Sequence, residues 1–417
     1  MDRNFAPITL SMVGQSLIEH PIDPHNHEAW RELHTRLNKS DFVFTNLEVT
    51  IKGERESWPM KPLDWCTRPD SSSLDILRRL GFNVLSLANN HSWDLGPTGV
   101  LDTIDEVEKR GFKHAGTGIN LEAAEAPTFV DTPGGRVALI AMASGNLPEQ
   151  AFATSQDELG ALARPGVNPI RVRDVQVVPK AEFEKLAAGF AAVGYKADAE
   201  GYIHVGDQWF VAGERYEVRR TIAPENRERH LRLVAEATKQ ADIVLVYLHQ
   251  HHWEEEWQAV GDWLRDFAHD CIDAGAHAFL GHGVPMLQAV EIYKARPIFY
   301  SLGNFIFHPT AGPAYWPDHR CWQSVVVEAS FAEGNWQSLK LHPISLGTER
   351  AVVEADMDDL SRRYPLPAKG AYAQNILEHL KTLSEPFGCQ ISIHGDSAEI
   401  LLRDIEHSPM HTATVSA

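Results

Sequence analysis

The sequence predicts an α/β fold, and two patterns carry that prediction. Short apolar runs alternate with amphipathic stretches of helical spacing, as expected of strands and helices interleaved along one chain. Polar clusters fall at the C-terminal ends of those runs, the edge at which α/β sheets assemble ligand sites. At 417 residues, with 43% hydrophobic and 23% charged residues, the chain can bury a large core as one large domain or two modest ones.

The first run, 8–13, reads as a buried strand and ends in Gly14-Gln15-Ser16. The second, 42–51, contains Asn46-Leu47-Glu48. Ser72 or Ser73 can then cap a helix that ends at Gly81. Run 83–87 leads into Ala88-Asn89-Asn90-His91, and Leu101, Ile104 and Val107 have the spacing of a second helix ending near Gly111. After run 137–143 the pattern loosens over 155–226, with an Ala-rich helical piece around 183–193 and alternating residues near 202–211. This segment reads as an insertion, either a lid over a site or an excursion without function. Runs 243–248, 278–280 and 298–302 resume the alternation; the first two close on His249-Gln250-His251-His252 and Gly281-His282-Gly283. Two further strands are expected at 324–331 and 338–344. The expected organisation is a domain over 1–345 with its insertion at 155–226, and a helical extension over 346–417 packed on it.

The charge balance narrows the partners. Lys plus Arg number 38 against 57 Asp plus Glu, a formal net charge of -19. Such a field repels phosphate backbones and anionic membrane surfaces, so neither nucleic acid nor a membrane is an expected partner. The residues after Met1 lack an apolar signal core and no run is long enough to span a bilayer, which makes a cytoplasmic location the default. Four dispersed cysteines, Cys66, Cys271, Cys321 and Cys389, read as reduced thiols. A homodimer is the base-rate assembly.

Taken singly, the polar clusters have ordinary explanations: Glu48 as a surface carboxylate, Asn89 and Asn90 as a turn, His282 as a hydrogen-bonded core imidazole. Together they supply a carboxylate, an amide oxygen and several imidazoles. That mixed nitrogen and oxygen set suits Zn, Mn or Fe, ions that bind water and lower its pKa. If the run before it is a strand, His249 and His251 project to one face. Either both ligate one ion or, as the favoured alternative, one stands behind the other.

The ordered motifs, Gly14-Gln15-Ser16, Asn46-Leu47-Glu48, Ala88-Asn89-Asn90-His91 with Asp94, Gly96 and Gly99, then His249, Gly281-His282 and Tyr300-Ser301-Leu302-Gly303-Asn304-Phe305, resemble the CapA-type poly-gamma-glutamate capsule biosynthesis family. The resemblance spans roughly 8–308. It implies a metallophosphoesterase-like layered α/β/β/α sandwich with metal at the strand ends. It further implies Glu48, Asn90, His249 and His282 as ligands, with Gln15 as an amide in place of the usual Asp. His91 becomes a candidate acid or transition-state stabiliser, oriented by Asp94. Pro285 stands where a terminal His is usual, and with Gln15 this departure implies one divalent ion per protomer instead of two. His20, Asp23 or His25 could substitute from the following loop.

The expected activity is therefore hydrolysis of an amide, lactam or ester bond of a small molecule by a metal-bound hydroxide, with His91 or His251 handling protons. Asn46, Asn89, Asn304 and Trp65 are candidate substrate contacts, and Trp58, Trp253 and Trp316 candidate pocket walls. Two other readings stand beside it. One is a two-metal phosphomonoesterase or phosphodiesterase, for which Lys61 and Arg320 are the nearest cations. The other is a noncatalytic metal-binding or poly-gamma-glutamate-handling protein. Fold alone does not choose among them.

Overall fold

A computed structural model of the chain describes residues 6–22, 28–156, 160–309, 316, 318–356 and 358–402. Asp23 and His25 lie outside them.

Two mixed sheets face each other. The first is ordered Ile391–His394, Ser397–Ile400, Asn335–Leu346, Gln323–Ala332, Ile8–Met12, Phe42–Asn46, Val84–Ser86 and Lys113–Ala115, with Pro365–Pro367 paired to Asn335–Leu346. The second is ordered Val290–Tyr293, Arg296–Phe299, Ala278–His282, Ile243–Gln250, Gly135–Ser144 and Thr128–Thr132. In each, the strands that carry the motifs are parallel to their motif-bearing neighbours. Their C-terminal ends therefore collect at one edge.

Strand periodicity sorts the side chains into layers. Leu10, Met12, Phe42 and Phe44 of the first sheet meet Leu139, Leu245, Tyr247 and Leu280 of the second in one buried cluster between the sheets. The alternate residues face outward: Val43 and Leu85 pack under Leu33, Leu77 and Val107, which come from the helices Glu28–Leu37, Ser73–Leu80 and Gly96–Lys109. On the far side, Val244 and Val246 pack under Val234 and Phe267 of Pro224–Ala237 and Asp262–Asp273. The result is the α/β/β/α sandwich expected.

Three expectations change. The strand expected over 42–51 ends at Asn46, whose register partner Ser86 closes the neighbouring strand; beyond it Leu47 makes only an isolated bridge to Ser16. Leu47, Val49 and Ile51 stay apolar because they are buried in a loop. The insertion forms its own sheet, Ile203–Val205, Gln208–Gly213, Val172–Pro179 and Glu217–Ile222, beside the helix Lys180–Ala192. The C-terminal segment is not only helical: besides Gly370–Ser384 it contributes the hairpin Ile391–His394 and Ser397–Ile400, which extends the first sheet. All four cysteines are buried and free of disulfides. No helix among the described residues is long and apolar enough to cross a membrane.

Candidate metal centre

The Ile243–Gln250 strand lies between Gly135–Ser144 and Ala278–His282, and His249 sits opposite Ala143 on one side and His282 on the other. This central position buries His249 completely. Its Nε2 lies 2.8 Å from Asn90 Oδ1, 3.1 Å from His251 Nε2 and 3.7 Å from Glu48 Oε1. Glu48, His249 and His251 each offer one ligand atom within 4.8 Å of the others. Among the described residues no other trio of His, Cys, Asp or Glu does so.

Four acceptor-rich atoms converging on one point need a cation more than they need each other. Glu48 is 3% exposed, yet its Oε2 is buried without a hydrogen-bond partner. Burial pushes its carboxyl up to about 8. Burial also holds the imidazoles neutral: His249 falls well below its usual range, and His251 and His282 fall to about 3. Neutral imidazoles and an orphaned carboxylate oxygen are what a divalent ion requires of its ligands. The residues fit such an ion.

His251 thus joins the ligand candidates and is not placed as a proton carrier. Asn146 holds it, with the amide nitrogen 2.9 Å from His251 Nδ1. A half-turn of that amide would present its oxygen instead, leaving Nδ1 protonated and Nε2 free to ligate. His282 lies outside the trio. Its Nδ1 is 3.2 Å from the Tyr247 hydroxyl, while its Nε2 is buried.

His91 approaches from the Asn89–Asp94 turn. Asp94 Oδ2 is 2.7 Å from His91 Nδ1 and also accepts from Thr67 N at 2.7 Å, while Lys61 Nζ pairs with Oδ1 at 2.9 Å. Burial works to raise the Asp94 carboxyl, but the His91 contact, Lys61 and the Thr67 amide hold it below its ordinary value. Asp94 is therefore ionised and fixes the His91 ring.

These groups floor a cavity of about 430 Å³ lined by Gln15, Glu48, Lys61, Asn90, His91 and His251 on its polar side. Trp65, Trp253 and Trp316 are among its lining residues. Trp58 is 67% exposed and is not among the lining residues. Neither are Arg320 and His20: Arg320 is paired with Asp318 and His20 stacks on His308. No described residue of 155–226 is among the lining residues of this cavity; the Glu217–Arg220 edge of the insertion borders another cleft, lined also by Glu254, Glu255, Glu256 and Trp263.

A family model described as "Bacterial capsule synthesis protein PGA_cap" matches residues 9–309. The chain belongs to this family. An uncharacterized protein, y4sH of Sinorhizobium fredii, is 30% identical, the match covering 92% of this chain and 91% of that one. The "PGA biosynthesis protein CapA" of Bacillus subtilis is 26% identical over 64% of this chain and 53% of its own length. A hypothetical protein from Thermus thermophilus superimposes with a TM-score of 0.40 at 13% identity, covering 80% of this chain and 98% of its own.

Within this PGA_cap member several expected roles move. Gln15 is not placed as a ligand: its Nε2 donates to Asn304 Oδ1 at 3.0 Å and its Oε1 accepts from Gly283 N at 3.2 Å. Asn304 is no substrate contact either, being fully buried and donating to the Pro285 and Cys321 carbonyls. Asn89 holds the turn, donating to Leu47 O at 2.7 Å and accepting from His91 N at 3.0 Å. Asn46 lies behind His249, its amide 3.5 Å from Nδ1. Both are buried away from the cavity and position the site without reaching a substrate. Asn146 escaped the sequence reading although Ser144-Gly145-Asn146 closes run 137–143 at the same sheet edge as the other clusters.

Proposed function

We propose that this PGA_cap member is a metal-dependent hydrolase of a small-molecule amide, lactam or ester, working with one divalent ion. The observation that supports it is the convergence of Glu48, Asn90, His249 and His251 on one point at the floor of a cavity. When bound, the ion supplies a water of lowered pKa and polarises the scissile carbonyl. Glu48 and the two imidazoles would hold it, with the Asn90 amide oxygen as a further donor and His282 as the nearest reserve imidazole. His91 serves the leaving group. Asp94 binds its Nδ1, so Nε2 is the nitrogen left to give up a proton, and the ionised carboxylate stabilises the charged ring.

One ion is favoured over two because both positions that would complete a second site are otherwise occupied. Gln15 bridges Asn304 and Gly283, and Pro285 has no side-chain donor. Phosphoester chemistry, which leans on a second ion and on free cations, is the weaker reading. The test is turnover of p-nitrophenyl acetate and an acyl p-nitroanilide against p-nitrophenyl phosphate by Mn- or Zn-loaded full chain. Carbonyl substrates are expected to react, and His91→Gln is expected to lower kcat by about 10²- to 10³-fold with metal content unchanged. Turnover of the phosphate alone would replace this reading with a phosphoesterase.

A further inference from the structure

The cavity lining is mixed. Beside its polar residues stand Leu17, Pro62, Pro285, Phe307, Pro309 and the three tryptophans Trp65, Trp253 and Trp316. The indoles are braced by other rings. Trp253 stacks on His251 with centroids 4.9 Å apart and donates its Nε1 to Gln250 O at 3.2 Å. Trp257 touches both Trp253 and Trp316, at 5.0 and 6.1 Å, and Trp316 meets Phe307 at 5.5 Å. A continuous set of rings thus runs from the candidate ligand His251 through Trp253, Trp257 and Trp316 to Phe307.

Charge is scarce in the same space. Lys61 is the only Lys or Arg among the described lining residues, and its ammonium is engaged by Asp94 Oδ1 at 2.9 Å and the Asn90 carbonyl at 2.6 Å. A ligand bearing several carboxylates would set them against indole and proline surface with no free cation to receive them, at a large desolvation cost. The net charge of -19 adds long-range repulsion. A volume of about 430 Å³ is that of a site for one small molecule.

Resting on the hydrolase reading, we propose that the substrate is a small uncharged carbonyl compound carrying an aromatic group, its ring against the tryptophan wall and its carbonyl at Glu48 and His249. Preorganised indoles lose little freedom on binding, and ring contacts of this kind reward a flat apolar group over an aliphatic stub.

Two probes that share a metal-binding head separate this inference from the reading beneath it. Acetohydroxamate and benzohydroxamate are titrated calorimetrically into the metal-loaded full chain. Benzohydroxamate is expected to bind about tenfold or more tightly than acetohydroxamate. That gain is expected to shrink in Trp316→Leu, with acetohydroxamate affinity held as the control for an intact metal site and a thermal melt as the control for folding. The wild-type comparison needs no variant to fold. Equal binding of the two probes overturns the aromatic substrate and leaves the metal reading standing. Binding of neither overturns the metal reading itself, and with it this inference. Displacement of benzohydroxamate by a γ-glutamyl oligomer at comparable concentration would also overturn it, by showing that the cavity accepts repeated carboxylates.

Discussion

Glu48 connects burial to metal chemistry most directly. With its carboxyl pushed up to about 8 by burial, it is largely protonated at pH 7 in the empty site, whereas His249, His251 and His282 are already neutral. An ion must displace the Glu48 proton and none from the imidazoles. Binding at pH 7 is therefore expected to release about one proton, seen as a dependence of calorimetric heat on buffer ionisation enthalpy. The sign follows: affinity falls by about one log unit for each pH unit below 8 and levels off above it. No proton release would contradict a protonated Glu48 in the empty site. A second expectation concerns Asn146, whose amide sits 2.9 Å from His251 Nδ1. Asn146→Ala should weaken metal affinity by about 10- to 100-fold in a chelator competition, as loss of an orienting partner does. That Glu48, Asn90 and His249 meet was legible in the sequence because the polar clusters that hold them fall in or just after apolar runs. The choice between His251 and His282 was not, because it depends on the stagger of neighbouring strands, which a one-dimensional pattern does not contain. Nor could a buried amide such as Gln15 be recognised as a bridge before its two partners were known.

Among the elements, the turn after Ala278–His282 shows how tightly the sheet edge is drawn together. Gly283 has φ of 113°, and a Cβ there would lie 1.9 Å from Gln250 O. Its amide also donates to Gln15. Gly283→Ala must therefore strain the backbone and push the Ile243–Gln250 strand end aside. A loss of about 2–4 kcal/mol of stability is expected in denaturant unfolding, together with weaker metal binding. An unchanged midpoint would show that the edge is looser than the geometry implies. Most elements were readable from periodicity alone, including the helices Ser73–Leu80 and Gly96–Lys109. Two were not. In the 42–51 run Leu47, Val49 and Ile51 alternate with Asn46, Glu48 and Thr50, a strand-like period that a buried loop can share. The 391–400 hairpin carried its own signal, alternating residues around a Gly395-Asp396 turn, which the helical character of 370–384 overshadowed.

Across the whole molecule, the sandwich buries more than its metal-site histidines. His230, His277 and His308 lie far apart in sequence, and burial lowers them to about 3, 4 and 4. The unfolded chain binds protons at these rings near pH 6.5 while the folded one does not. Their contribution is thus intact above pH 6.5 and lost as pH falls toward 4, on the order of 10 kcal/mol in sum. Glu19, raised to about 7 chiefly by burial, acts in the opposite sense and offsets part of this. The melting temperature of metal-free protein should fall steadily from pH 6.5 to 4; a flat profile would show that these rings are hydrated. The layered fold was legible because alternation, run length and motif position agreed. The insertion was not, because nothing in 155–226 shows which cleft it borders.

The central claim is a single divalent ion held by Glu48 and His249. Its most direct test is metal per protomer by elemental mass spectrometry, on full chain purified without added metal or chelator, beside Glu48→Ala and His249→Ala. The expected result is about one equivalent of Zn, Mn or Fe in the parent chain and loss of it in both variants. Near two equivalents would contradict the single-ion site, and none after reconstitution would contradict the metal centre itself.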